Sequence, residues 1–265
     1  MLTRNLDKAR QAYKDKNVEA SRKAHEQKST LHAREAHNQE HGQYIKSLIY
    51  GGLDGIITTF AVVAGVAGAS LSAGIVLILG FANLIADGLS MAIGDYLSTK
   101  AEQEYKKTER ERETWEVENY PDGEKQELVE LYMNKGMPEE DARTVTEIFS
   151  RNKKAWVNIM MVEELGIIEE NESPIKNALV TFFSFAIFGF VPLVAYVISK
   201  AIPGFGFPTF ILASVLTGVT LYTLGAVKGR ITGNNWIKSG FEMLIVGGVA
   251  AAAAYGVGLL LAGLE

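Results

Sequence analysis

Leu71–Ser98, LSAGIVLILGFANLIADGLSMAIGDYLS, is 28 residues long and carries two charges, Asp87 and Asp95. A helix needs about 20 mostly apolar residues to cross a bilayer core of roughly 30 Å, so this stretch is long enough to span a membrane. Its polar residues are not scattered. Asn83, Asp87, Met91 and Asp95 recur at every fourth position and so share one face of a helix.

The same length criterion selects four more segments: Ser47–Ala69, Asn177–Ile198, Pro208–Val227 and Trp236–Leu264. Five such segments in 265 residues leave too little polar surface to bury them in a water-soluble protein. The overall 48% hydrophobic and 22% charged composition hides this layout. Residues 1–46 hold ten Lys/Arg and six Asp/Glu, residues 47–98 hold three charges, and residues 101–173 hold twenty acids and ten bases. The expected fold is an all-α integral membrane protein with five transmembrane helices and a cytoplasmic helical metal-binding domain inserted between helices two and three. The expected divisions are a cytoplasmic N-terminal region at 1–46, transmembrane helices one and two at 47–98, the insert at 99–173, and transmembrane helices three to five at 174–265.

Lys and Arg favour the cytoplasmic side of short membrane loops. The first short loop, residues 69–73, is uncharged, and residues 199–207 carry only Lys200. The basic N-terminal region, Lys100, Lys176, Lys228, Arg230 and Lys238 all fall on the opposite side. This bias predicts a cytoplasmic N-terminus and insert and a C-terminus on the far side. The charged residues from Met1 to Lys16 lack the apolar core of a cleaved signal peptide. No cysteine is present, which excludes disulfides, thiolate metal sites and Cys nucleophiles.

Ionisable side chains inside a span are costly and usually face a polar cavity or a partner. Asp54 is one, set among Gly51, Gly52 and Gly55, whose spacing lets another helix approach closely. The stripe on the second segment adds two carboxylates and a thioether. Carboxylates alone suit hard cations, and a thioether shifts preference toward transition metals. Asp54, Asn83, Asp87, Met91 and Asp95 are therefore the expected transport pathway. In the fifth segment Glu242 follows Lys238 by one turn, and the simplest expectation is an ion pair between them.

The insert is rich in Glu, Lys, Arg, Leu and Met, which predicts helices near 99–118, 123–135, 138–150 and 153–168. Pro121-Asp122-Gly123 and Gly136-Met137-Pro138 mark the breaks. Glu113 and Glu116 are three apart, Glu124 and Glu127 are three apart on the next helix, and the last helix brings Met160, Met161 and Glu164. Clustered carboxylates repel unless a cation neutralises them, so this pattern predicts one or more divalent metals. His25, His32, His37 and His41 all precede the first span. His37 and His41 have a helical metal-site spacing, but no neighbouring residue requires one.

The string GGLDGIITTFAVVAGVAG from Gly51, SMAIGDYLS from Ser90 and MMVEELGI from Met160, in this order, resemble the vacuolar iron transporter family. The resemblance covers roughly residues 45–264. It implies a five-helix homodimer that exports cytosolic Fe(II), and Mn(II), into a vacuole or similar acidic compartment in exchange for protons. The family's pathway Asp falls on Asp54 and its pathway Met on Met91, at the dimer interface. Its cytoplasmic metal ligands fall on Glu113, Glu116, Glu124, Glu127, Met160, Met161 and Glu164. Metal ions and protons are then substrates, no resident cofactor and no nucleic-acid partner are expected, and the protein is not an enzyme. Two rival readings keep the same residues. A membrane-bound di-iron oxidase would use Glu-x-x-His pairs, and residues 99–173 contain no histidine. A passive divalent-cation channel or a metal-regulated structural protein would ignore a proton gradient.

Overall fold

The computed structural model describes residues 11, 13, 15–20, 39–168, 172–202, 204 and 206–262, with backbone alone for 39–43. The chain divides into two compact units, Met1–Gln43 and Tyr44–Glu265. His25, His32 and His37 lie outside the described residues, and His41 is described by its backbone alone.

Among the described residues eight helices follow in chain order: α1 (Gln39–Gly68), α2 (Ala73–Asn119), α3 (Pro121–Asn134), α4 (Glu139–Ser150), α5 (Lys153–Glu163), α6 (Pro174–Ala201), α7 (Thr209–Thr232) and α8 (Trp236–Leu261). Five of them, α1, α2, α6, α7 and α8, are long and apolar enough to cross a membrane. The apolar part of α2 ends near Ser98, and the helix runs on without interruption to Asn119. No Gly or Pro falls between Gly94 and Asn119, so nothing in the sequence breaks it.

Close approach to α1 depends on glycine. A Cβ at Gly51 would lie 2.6 Å from the Thr181 carbonyl oxygen, and one at Gly55 would lie 2.3 Å from that of Phe185, so α6 sits directly on this face. At its other end Gly65 and Gly68 meet Gly258 and Tyr255 of α8. Phe60 stacks on Phe210 of α7 with ring centroids 6.2 Å apart, and Asn83 of α2 reaches Thr58 and Thr59. Helix α1 is therefore the hub of the membrane bundle. The apolar part of α2 packs on α6 through Val76, Gly80, Leu84, Gly88 and Ala92, a stripe that meets Leu193 and Phe185. Its opposite side, from Ile78 through Phe81, Ile85, Leu89 and Ile93 to Leu97, is exposed.

Between α2 and α6 the polar insert has its own core of Val117, Leu128, Trp156, Val157, Met160, Met161 and Ile167. Helix α3 starts at Pro121, two residues earlier than the sequence suggests, because Pro suits the first helical position and Tyr120 alone makes the break. Helix α5 ends at Glu163, not at 168. Gly166 adopts φ +66° and the Ile167 N–H donates to the Met161 carbonyl at 2.7 Å, folding the chain back so that Ile167 enters the core. Both crossings at the root of the insert are tied together. Asn177 Nδ2 donates to Thr99 Oγ1 at 3.2 Å, and Gln103 Nε2 donates to the Glu172 carbonyl at 2.6 Å.

Candidate functional site

Two groups of polar side chains lie along α2, one in its membrane-length part and one at its far end. In the first, Asp54 is half-buried on α1. The Thr58 hydroxyl donates to the Asp54 carbonyl at 2.8 Å, and the Asn83 amide donates to the Thr58 and Thr59 hydroxyls at 3.4 Å each. Asn83 is thus held against α1 one turn from Asp54, and Asp87 lies within electrostatic reach of Asp54. Asp87 is exposed, and Met91 is half-buried against the apolar core around Phe185 and Leu84.

Asp95 has a different environment. Its Oδ2 accepts from Ser47 Oγ on α1 at 3.0 Å and from Thr181 Oγ1 on α6 at 2.5 Å, so one carboxylate joins three helices. Sequence spacing placed Asp95 on the stripe but did not reveal these two hydroxyl donors. The signal for Thr181 was only one of a few hydroxyls within an apolar span. Glu242 is paired as expected for an exposed acid, but with Lys228 of α7 at 3.2 Å and not with Lys238. The α7–α8 turn brings Lys228 alongside, and a one-helix count of spacing does not include it.

The second group is built by the ends of three helices. Glu113 on α2, Glu124 on α3 and Glu164 just past α5 bring ligand oxygens all within 4.8 Å of one another. The break at Tyr120 turns α3 back along α2, which sets Glu124 beside Glu113, and the fold-back after Glu163 sets Glu164 at the mouth. Glu113 and Glu124 are 0% and 4% exposed, yet both Glu113 oxygens and Glu124 Oε2 have no hydrogen-bond partner. Buried anions without partners are held at a cost. Burial pushes the Glu113 carboxyl from 4.5 to about 7, with Glu164, Glu116 and Glu127 adding and Arg112 opposing. Burial likewise raises Glu124 to about 7, followed by the charges of Glu113, Glu127, Glu116 and Glu164. Glu164 is raised by burial and then by Glu127, against the pull of Arg112. Three carboxylates that need neutralising at one point can take a dication.

The remaining expected ligands are arranged less evenly. Glu116 is half-buried and ion-paired with Arg112, and Glu127 is exposed at the edge of the cluster. Met160 and Met161 are 0% and 1% exposed and belong to the apolar core of the insert. The Glu164 N–H donates to the Met160 carbonyl at 3.0 Å, which places the backbone of these methionines next to the carboxylate cluster. Arg112 is the participant that sequence reading missed. Its Nε donates to Glu109 Oε2 at 3.0 Å, its Nη1 to Glu116 Oε2, and its Nη2 lies 2.7 Å from Glu113 Oε1. Only its helical spacing from Glu109 and Glu116 was visible in the sequence.

Known proteins resemble this chain over most of its length. A protein of Toxoplasma gondii named vacuolar iron transporter is 43% identical over 268 residues, covering 97% of this chain and 89% of that protein. One of the same name from Plasmodium falciparum is 40% identical, covering 82% of each chain. Vacuolar iron transporter 1 of Oryza sativa subsp. japonica is 37% identical, covering 82% of this chain and 84% of that protein. The sequence model of the VIT family matches residues 45–259, from within α1 to the last turn of α8 and with both polar groups inside it, and this chain belongs to that family.

Proposed function

We propose that this protein moves cytosolic Fe(II), and Mn(II), into a vacuole or similar acidic compartment in exchange for protons. The observation that carries this reading is the continuity of α2. One unbroken helix bears Asn83, Asp87, Met91 and Asp95 in its membrane-length part and Glu113 of the carboxylate cluster at its far end. The names of the relatives support iron as the substrate and a vacuole as the destination. In this reading the insert is cytoplasmic and captures the metal, and Asp54, Asp87 and Met91 carry it through the membrane. Lys100, Lys176, Arg230 and Lys238 on the insert side, against Lys200 on the other, support that orientation.

The working unit is a homodimer. Asp87 is exposed on one flank of α2, and a carboxylate facing lipid at mid-bilayer costs about 3 kcal/mol or more. A second copy laid along this side would give Asp87 and Met91 a shared polar path. Exchange follows from carboxylate chemistry. An acid that holds a proton when empty releases it to a dication, and an acidic far side returns the proton as the metal leaves. Asp54 carries this exchange. In proteoliposomes with an inward-acidic gradient, Asp54→Ala is expected to lower Fe(II) uptake at least tenfold. Uptake by that variant at the native rate would remove Asp54 from the mechanism, and native uptake indifferent to the gradient would make the protein a channel.

A further inference from the structure

Arg112 places its charged atoms on the carboxylates around Glu113, and the way it does so is unusual for a supporting residue. It touches three different carboxylates, those of Glu109, Glu113 and Glu116, one through each guanidinium nitrogen. Its side chain is 41% exposed, whereas that of Glu113 is 1% exposed. The Arg112–Glu113 approach at 2.7 Å lies outside hydrogen-bonding geometry, since both Glu113 oxygens are without a hydrogen-bond partner. The contact is therefore one of charge, made by a side chain that can move into water without unpacking the core.

We propose that Arg112 is a tethered competitor for the metal, exchanging places with the dication on Glu113 and Glu116. The idea rests on the reading of this cluster as the loading site. A guanidinium carries one positive charge spread over a plane, and a dication concentrates two at a point, so the ion wins the buried oxygens and the arginine swings outward. When the ion leaves, the guanidinium returns, and the buried carboxylates are never left with their full repulsion. The competitor weakens equilibrium binding and quickens release, which suits a site that must hand its ion onward. A residue that merely braced Glu116 would do the opposite, and its loss would weaken binding.

The test uses the full-length protein in detergent with Mn²⁺ as probe at pH 7.5, reading free Mn²⁺ by its paramagnetic resonance and release by a chelator chase. Arg112→Gln is expected to bind on the order of tenfold more tightly, the combined size of three ion pairs made by a partly exposed guanidinium, and to release more slowly. Arg112→Lys, whose single ammonium serves fewer carboxylates, is expected between the two, and it decides the matter if Arg112→Gln does not fold. Equal or weaker binding by these variants, with native binding intact, overturns the proposal. Native Mn²⁺ binding that persists undiminished in Glu113→Gln/Glu124→Gln overturns the loading site itself, and the competitor with it.

Discussion

Glu113 and Glu124 are buried with three of their four carboxyl oxygens lacking a hydrogen-bond partner, and this fixes how the insert responds to pH. Each carboxyl is raised from 4.5 to about 7 in the folded protein. Between those values the folded state holds protons that the unfolded state has released, so stability from these groups is full below 4.5 and is lost as pH rises toward about 7. A dication needs the deprotonated forms, so it should raise the thermal midpoint strongly at pH 8 and little at pH 5.5. Scanning calorimetry with and without Mn²⁺ checks this, and an equal rise at both values would show that these carboxyls do not hold the ion. The pairing of Glu113 with Glu124 was legible in the sequence because a short break between two acid-bearing helices leaves little choice of neighbour. Arg112 was not, since a charge among many on an acidic helix shows its partners only once three helix ends meet. Asp95 was placed correctly on its stripe, but its hydroxyl donors come from helices 48 and 86 residues away.

At the scale of the helix, the spans were the most readable part, because length and hydropathy suffice to identify them. Their ends were set by local chemistry: Pro121 began a helix where a turn was expected, and Gly166 closed one early. Which faces meet was only partly visible. The glycines of α1 announced a close contact, and the structure identifies the other side as the backbone of α6. A methyl group at Gly55 would fall 2.3 Å from a carbonyl oxygen that cannot rotate away, so the two helices must part. Gly55→Ala is expected to destabilise the bundle by about 1–3 kcal/mol through overpacking. Gly248, with nothing within 4 Å of a Cβ, is a matched control whose change to Ala should stay within about 0.5 kcal/mol. Denaturation in mixed micelles compares the two, and equal midpoints would deny the α1–α6 contact.

For the molecule as a whole, the sequence contained the five spans and the insert but not the arrangement that leaves one side of α2 uncovered, which depends on every other helix packing elsewhere. The protein has no cysteine, so single introduced thiols report proximity without background. Leu89→Cys, on the exposed side of α2, should give disulfide-linked dimers in native membranes under mild oxidation. Ile245→Cys, outward on α8, should not. Dimers at both positions, or only at the second, would contradict a pairing through α2. The 47 residues of that helix extend roughly 70 Å at 1.5 Å per residue. Beyond Ser98 it behaves as a lever arm with Glu113 roughly 22 Å from the membrane-side fulcrum. A tilt of about 10° within the bilayer would swing Glu113 sideways by roughly 4 Å, a displacement comparable with the 4.8 Å within which the clustered oxygens all lie. A modest rocking of the span is thus mechanically enough to open the grip at the other end of the rod.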